Sequence, residues 1–445
     1  MKNPIQRFAI YVMLIASPIV VNAQDNLSAS LDNRRLPVGK EDEKIVTEGE
    51  KKEEVKQEAE PEPGKFSING YLDSYYFTNF NKPASRDNMG ISGVGRGFDR
   101  RVDQFQLGMV QTVMKYTNKK SEMIADLAYG PSAQYGNYGN VPNFGNAYGY
   151  AIGNDTYSSV IIKQAYFKYN ATDKLSFTMG QFGTHIGYEL IEASLNYFYS
   201  INHTFNSGIP FYHTGLKSTY AFSDKVSLML GVVNGFDYVH DNNRSKGLIG
   251  QLALAPAEKL TMYINYITTN ESNSDTQGKT PKGNFTVYDI NGVYTVSDKF
   301  YIGYWAMLGT QHGTLGSPGT FVPADGDVDA TKKWWGANLY FVYNTSDLFS
   351  IGLRAETFNN DSGARGLRSL DSNNAWAGTS ANTFTLTGTF NLAEGNLMLK
   401  PELRLDSFKK LGGSANENSQ QFQDSDGNYT KNSQTTLGMA AIYKF

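Results

Sequence analysis

Residues 381–408 read ANTFTLTGTFNLAEGNLMLKPELRLDSF. On one side of a short break, Phe384, Leu386 and Phe390 alternate with Thr383, Thr385, Thr387 and Thr389; on the other, Leu397, Leu399, Leu403 and Leu405 alternate with Lys400, Glu402, Arg404 and Asp406. Successive side chains of a strand point to opposite faces, so each segment predicts a strand with one apolar and one polar face. The break itself, Ala393-Glu394-Gly395-Asn396, is small and polar and predicts a tight reversal. The apolar face of such a hairpin has to meet something apolar, and in a single long sheet that partner is lipid.

The same turn recipe recurs at Asn118-Lys119-Lys120, Thr172-Asp173-Lys174, Ser223-Asp224-Lys225, Ala257-Glu258-Lys259, Ser297-Asp298-Lys299 and Thr345-Ser346-Asp347. Strand candidates centre on 66–79, 101–117, 121–130, 157–170, 174–183, 211–222, 225–236, 246–255, 259–269, 284–296, 299–310, 333–344, 348–359, 380–391, 396–408 and 434–445. Short turns alternate with long loops, and both termini fall on the short-turn side. The prediction is a transmembrane antiparallel β-barrel of 16 strands, with short periplasmic turns and long extracellular loops. Pro401, on the lipid-facing row, lacks an amide hydrogen and should mark a bulge or a weakly paired point.

Composition agrees with this. No sustained helical periodicity follows the N-terminus, and a mean hydropathy of -0.42 across 445 residues leaves no later stretch able to span a bilayer as a helix. Aromatic residues gather at strand ends, as at Tyr166, Phe167 and Tyr169 or Tyr340, Phe341 and Tyr343, where rings sit at headgroup depth. Lys2, Arg7, an apolar core and Ala23 before Gln24 form a secretory signal over residues 1–23. Residues 24–65 are Glu/Lys-rich with few apolar side chains and are expected to be a disordered periplasmic extension, leaving 66–445 for the barrel. There is no cysteine, hence no disulfide or thiolate metal site. With 40 basic and 43 acidic residues, nothing steers nucleic acid.

The polar strand faces predict a water-filled lumen, because a dry one would desolvate their charges. The connection from His185 to Pro210 is too apolar for a loop in water and is expected to fold into the barrel, narrowing it. A helical turn over Tyr188–Asn196 would set Glu189 and Glu192 on one side. Opposing charge from Lys217, Arg354, Lys400 and Arg404, with Glu356, Glu402 and Asp406 on the same strand faces, would complete a constriction with a transverse field favouring polar solutes. Two other arrangements stay open: an extracellular lid with merely solvated carboxylates, and ordinary salt bridges among the wall charges.

Other chemistry is weakly signalled. Asp325, Asp327 and Asp329, and the run Asp424–Asn428, have Ca²⁺-like spacing but lack the closing glutamate, and such clusters are also plain turn chemistry. His240-Asp241 is an adjacent pair of the sort a hydrolase needs, in a polar loop where such neighbours are common. The Tyr, Gly and Asn repeats of Gly130–Tyr150 could stack on sugar rings or be flexible-loop chemistry. No cofactor and no catalytic group are expected.

Three segments carry a family resemblance: GYLDSYYFTNFNKP at 70–83, YELIEASLNYFYS at 188–200 and SGIPFYHTGLKSTYAF at 207–222. Together they make the chain after residue 65 resemble the β-barrel porins of the OmpL-like type found in Bacteroidetes. The resemblance implies an outer-membrane porin passing small hydrophilic solutes; no binding residues carry over from it. The terminal Phe445, with Tyr443 on the same face, resembles the signal read by the barrel assembly machinery, which would be a partner alongside outer-membrane lipid. Self-association into a homo-oligomer is left open. The alternative is a non-conducting barrel that displays loops for adhesion or anchors a periplasmic partner.

Overall fold

The structure is a computed structural model, and it describes residues 64–91, 95–136, 162–239, 241, 243–271, 283–313, 331–365, 367–370, 376–409 and 420–445. The expected signal and most of the charged extension lie outside these residues.

The chain runs through β1 (Lys65–Asn79), β2 (Gln106–Thr117), β3 (Ser121–Tyr129), β4 (Ile162–Asn170), β5 (Leu175–Gly183) and β6 (Tyr212–Ser223). It continues with β7 (Val226–Val233), β8 (Gly247–Ala257), β9 (Leu260–Asn270), β10 (Gly283–Ser297), β11 (Phe300–Gly313), β12 (Thr331–Asn344) and β13 (Phe349–Asn359). A small separate ribbon, β14 (Arg368–Leu370) with β15 (Trp376–Gly378), precedes β16 (Ser380–Leu392), β17 (Leu397–Phe408) and β18 (Ser433–Lys444). Leaving the ribbon aside, each strand pairs antiparallel with its neighbours and β1 closes on β18, giving a 16-stranded barrel. Closure leaves no open sheet edge, the condition for backbone to cross lipid. No described helix is long and apolar enough to cross a membrane.

The alternation sets the two faces. Phe384 and Leu405 are exposed on the outside, at 55% and 46%, while Thr383, Thr385, Thr387 and Thr389 are buried inside. The turns share a mechanism as well as a composition. The side-chain oxygen of Asn118 accepts from the amides of Lys120 and Ser121 at 2.9 and 2.8 Å, and that of Thr172 from Lys174 and Leu175 at 3.2 and 3.0 Å. Ser297 does the same for Lys299 and Phe300. Where the first residue is Ala393 the turn instead uses left-handed backbone at Ala393, Glu394 and Gly395.

Two expected strands are trimmed. The one predicted from residue 101 starts at Gln106, beyond Asp103 with φ 55°, and the one predicted to 236 stops at Val233, before Asp237 with φ 66°. Pro401 causes no bulge. The β16–β17 ladder keeps its register, but pairing lapses between Thr387↔Glu402 and Phe390↔Leu399, the interval containing Pro401, so it is a weakly paired point.

Candidate pore constriction

The segment between β5 and β6 carries α2 (His203–Gly208), which with α1 (Pro131–Gly136) is one of two short α-helices among the described residues, and lies against lumen-facing side chains of β12, β13 and β17. Glu402 accepts from the amides of Tyr199 and Ser200 at 2.9 and 3.1 Å and from the Thr387 hydroxyl at 2.7 Å. Lys400 Nζ donates to the carbonyls of Ala193 and Asn196. Arg354 donates to Glu189 at 2.6 Å, to the Ser200 carbonyl at 2.7 Å and to the Thr385 hydroxyl at 3.0 Å. Glu356 accepts from the amides of His203 and Thr204, at 3.0 and 2.7 Å, and from the Thr204 hydroxyl. It thereby caps α2 from the barrel wall while Asn202 caps it locally through the Phe205 amide.

Arg404 and Asp406 complete the cluster. Arg404 donates to Asp406 at 2.8 Å and to the Ile201 carbonyl at 2.7 Å. Asp406 also meets His203 Nε2 at 3.0 Å, Gln434 at 3.0 Å and Arg96 at 3.3 Å, and Arg96 in turn pairs with Asp99.

Two expectations are corrected here. Over Tyr188–Asn196 there is no helix, only a tight turn closed by the amides of Leu195 and Asn196 on the Glu192 carbonyl. The two carboxylates therefore diverge, Glu189 to Arg354 on β13 and Glu192 to Lys163 on β4. Burial works to raise the Glu192 carboxyl, but the Lys163 ammonium outweighs it and holds the group below the usual carboxylate range.

The second correction concerns water. Arg354, Lys400 and Arg404 are 0% exposed, and Glu356, Glu402 and Asp406 are buried beside them, so this sector of the wall faces protein. Backbone amides and carbonyls of the segment replace the hydration that these charges would otherwise need. Arg354 and Arg404 are met by Glu189 and Asp406, and Lys400, Glu356 and Glu402 by backbone and hydroxyl groups of the protein. Of the expected wall charges, only Lys217 stands outside the cluster, its Nζ 4.2 Å from the Phe182 ring.

Several members carried no signal in the strand pattern. Arg96 belongs to a long loop without periodicity. Asp73 accepts from Tyr199 Oη at 2.6 Å and from the Met109 amide at 2.9 Å, and a lone inward acid midway along β1 is its only mark in the sequence.

Above this cluster, Phe98, Phe205, Phe211, Phe236, Phe285, Trp334 and Phe358 form one buried apolar group drawn from several long connections and from strand ends. Toward the short turns, a cavity of about 310 Å³ is lined by Tyr188, Tyr197, Tyr263, Tyr301, Asn291 and Lys259, among others.

The remaining candidates are plain. Asp325, Asp327 and Asp329 lie outside the described residues, and among those described no group of three or more His, Asp or Glu could hold a metal. Asp424 accepts from the amides of Asp426 and Asn428 and from the Thr430 hydroxyl, bonds that hold its carboxyl below the usual range and mark a turn. His240 is outside the described residues, and Asp241 pairs with Lys246. Most of the 130–150 loop is also outside them, while Tyr135 packs edge-on against Phe98 at 5.1 Å.

Residues 65–445 match the model of a family described as "Putative beta-barrel porin-2, OmpL-like". The chain belongs to this family. Among curated proteins no sequence match is found. The porin resembles the outer membrane channel DcaP of Acinetobacter baumannii, with TM-score 0.53 and 10% identity over 86% of this chain and 98% of that one. It also resembles an anion-selective porin from Comamonas acidovorans, with TM-score 0.51 and 9% identity over 86% of this chain and all (100%) of that one. At such identities the likeness is one of fold. The porin is an outer-membrane β-barrel channel that crosses the membrane with 16 strands; proteins of this family and fold are typically channels and not enzymes.

Proposed function

We propose that this porin lets small hydrophilic solutes diffuse through its lumen, with residues 184–210 acting as the constriction. The observation that carries the reading is the anchoring of this segment to the inner wall of the barrel, densest on one side. Glu189, Arg354, Glu356, Lys400, Glu402, Arg404 and Asp406 tie the segment to the β12–β17 side. Elsewhere it is held more sparsely, to β1 through Tyr71 and Asp73, to β2 through Gln111, to β4 through Lys163, and to β8 and β9 through Gln251 and the Tyr266 carbonyl. Polar inner faces elsewhere, with Lys115 side chain 41% exposed on β2, are the surface that solutes would follow. Planar-bilayer recording tests this: discrete, ohmic steps are expected, and purified protein that inserts without them overturns it.

One observation favours a second reading, a non-conducting barrel that anchors a partner. The aromatic cluster around Phe205, Phe211 and Trp334 packs across the end of the lumen toward the long loops. Residues 1–23 act in this scheme as a cleaved signal and 24–65 as a periplasmic extension. Deleting 25–65 separates the readings: conductance per channel stays within about 10–20% of wild type for a porin, since the first ladder pair is Lys65↔Thr117. A tether would instead lose a periplasmic partner in crosslinking. Phe445 and Tyr443 serve as the assembly signal, and self-association remains compatible with the apolar outer face.

A further inference from the structure

Lys168 of β4 and Lys217 of β6 both face the lumen, since their neighbours Phe167, Tyr169 and Leu216 are exposed on the outer face. They share one cross-strand row: Thr178 of β5 pairs with Lys168 on one side and with Lys217 on the other. Two strand spacings put the backbones about 10 Å apart. That is about one Debye length at roughly 0.1 M salt, so the two fields overlap in the space they face.

Across the row, Glu122 of β3 sits opposite Lys168, but its carboxylate is held by Lys115 at 2.6 Å. Among the described residues, neither Lys168 nor Lys217 has a carboxylate within salt-bridge distance, and Lys217 has only the Phe182 ring. The patch therefore sets three lysines against one glutamate. The adjoining turns do not cancel this, because Asp173 and Asp224 are each followed by a lysine, Lys174 and Lys225.

Elsewhere on the wall, charges are matched with care. Arg354 meets Glu189, Arg404 meets Asp406, and Lys163 meets both Glu192 and Asp126. A like-charge row without acid partners is disfavoured within a sheet, and a mobile counter-ion relieves it.

We propose that Lys168 and Lys217 form an anion-attracting row that makes the open side of the lumen prefer small anions, of chloride to phosphate or carboxylate size, over cations. The lysine ammoniums supply the charge, so a hydrated anion is drawn to the wall without being trapped by a bidentate clamp. The proposal rests on the channel reading above.

Reversal potentials in a KCl gradient across a planar bilayer test it. Wild type is expected to pass chloride in preference to potassium. K168Q/K217Q should lower the chloride-to-potassium permeability ratio by about twofold or more at roughly 0.1 M salt, where screening still leaves wall charges effective. K168E/K217E should invert the preference. A cation-preferring wild type, or a ratio unchanged in K168Q/K217Q, overturns the row while leaving the channel reading intact; insertion without conductance overturns the channel reading and the row with it. Heat-modifiable migration on gels verifies that each barrel is folded, and the single variants K168Q and K217Q read the same ratio should the double variant fail to fold.

Discussion

Arg354 is wholly buried in the wall of β13, with its charge answered by Glu189 and by the Ser200 carbonyl. Removing one partner of a buried pair leaves the other uncompensated and costs about 3–5 kcal/mol. Arg354→Met should therefore spare the strand ladder, whose backbone bonds it does not touch, and release residues 184–210 from the β13 wall. The expected outcome is a larger and noisier single-channel conductance with faster proteolysis within that segment. Glu189→Leu/Arg354→Met, which removes both charges, should recover much of the wild-type behaviour, since an apolar pair of similar volume leaves no stranded charge. Conductance and protease resistance unchanged in the single variant would show that Arg354 does not hold the segment.

The segment fits the wall through shape as well as charge. A Cβ at Gly303 of β11 would overlap the Tyr188 phenol, and one at Gly352 of β13 would overlap the Tyr197 ring. These glycines leave shallow sites on the inner face into which loop aromatics settle, and close approach of this kind is a reason for glycine inside a strand. Gly303→Val and Gly352→Val should lift the neighbouring part of the segment, increasing the rate of labelling of a cysteine placed at Ser194 by about tenfold or more, as expected when a site moves from rare local opening toward exposure. An unchanged labelling rate would exclude the steric fit. The strands themselves were legible in the sequence because period-2 alternation and hydroxyl- or amide-led turns are local signals, as at Phe384–Leu386 and Asn118–Ser121. The seating of the segment was not, because the partner of Glu189 is 165 positions away and that of Lys400 is 204–207 away. Charged residues on an inner strand face do not by themselves indicate water: Lys400, Glu402 and Arg404 face inward, but protein backbone solvates them.

At the scale of the molecule, closure of β1 on β18 joins chain segments separated by nearly the whole length of the barrel, from Tyr71↔Lys444 to Asn79↔Thr436. Phe445 adds a further pair of bonds beyond the last strand, its carbonyl accepting from the Gly70 amide at 3.1 Å and its own amide donating back at 3.0 Å. Its ring is 63% exposed on the outer face with Tyr443. The ring and the ladder can therefore be separated by one substitution. Phe445→Ala keeps both backbone bonds, so protein refolded from urea into detergent or lipid should close and conduct as wild type does. If the ring is read during assembly, the same variant should accumulate in the periplasm, with outer-membrane yield reduced by about fivefold or more, a loss much larger than the roughly 1 kcal/mol or less that an exposed side chain contributes to the folded barrel. Equal losses in both settings would instead make the ring a structural element of closure, and equal yield in both would remove its assembly role.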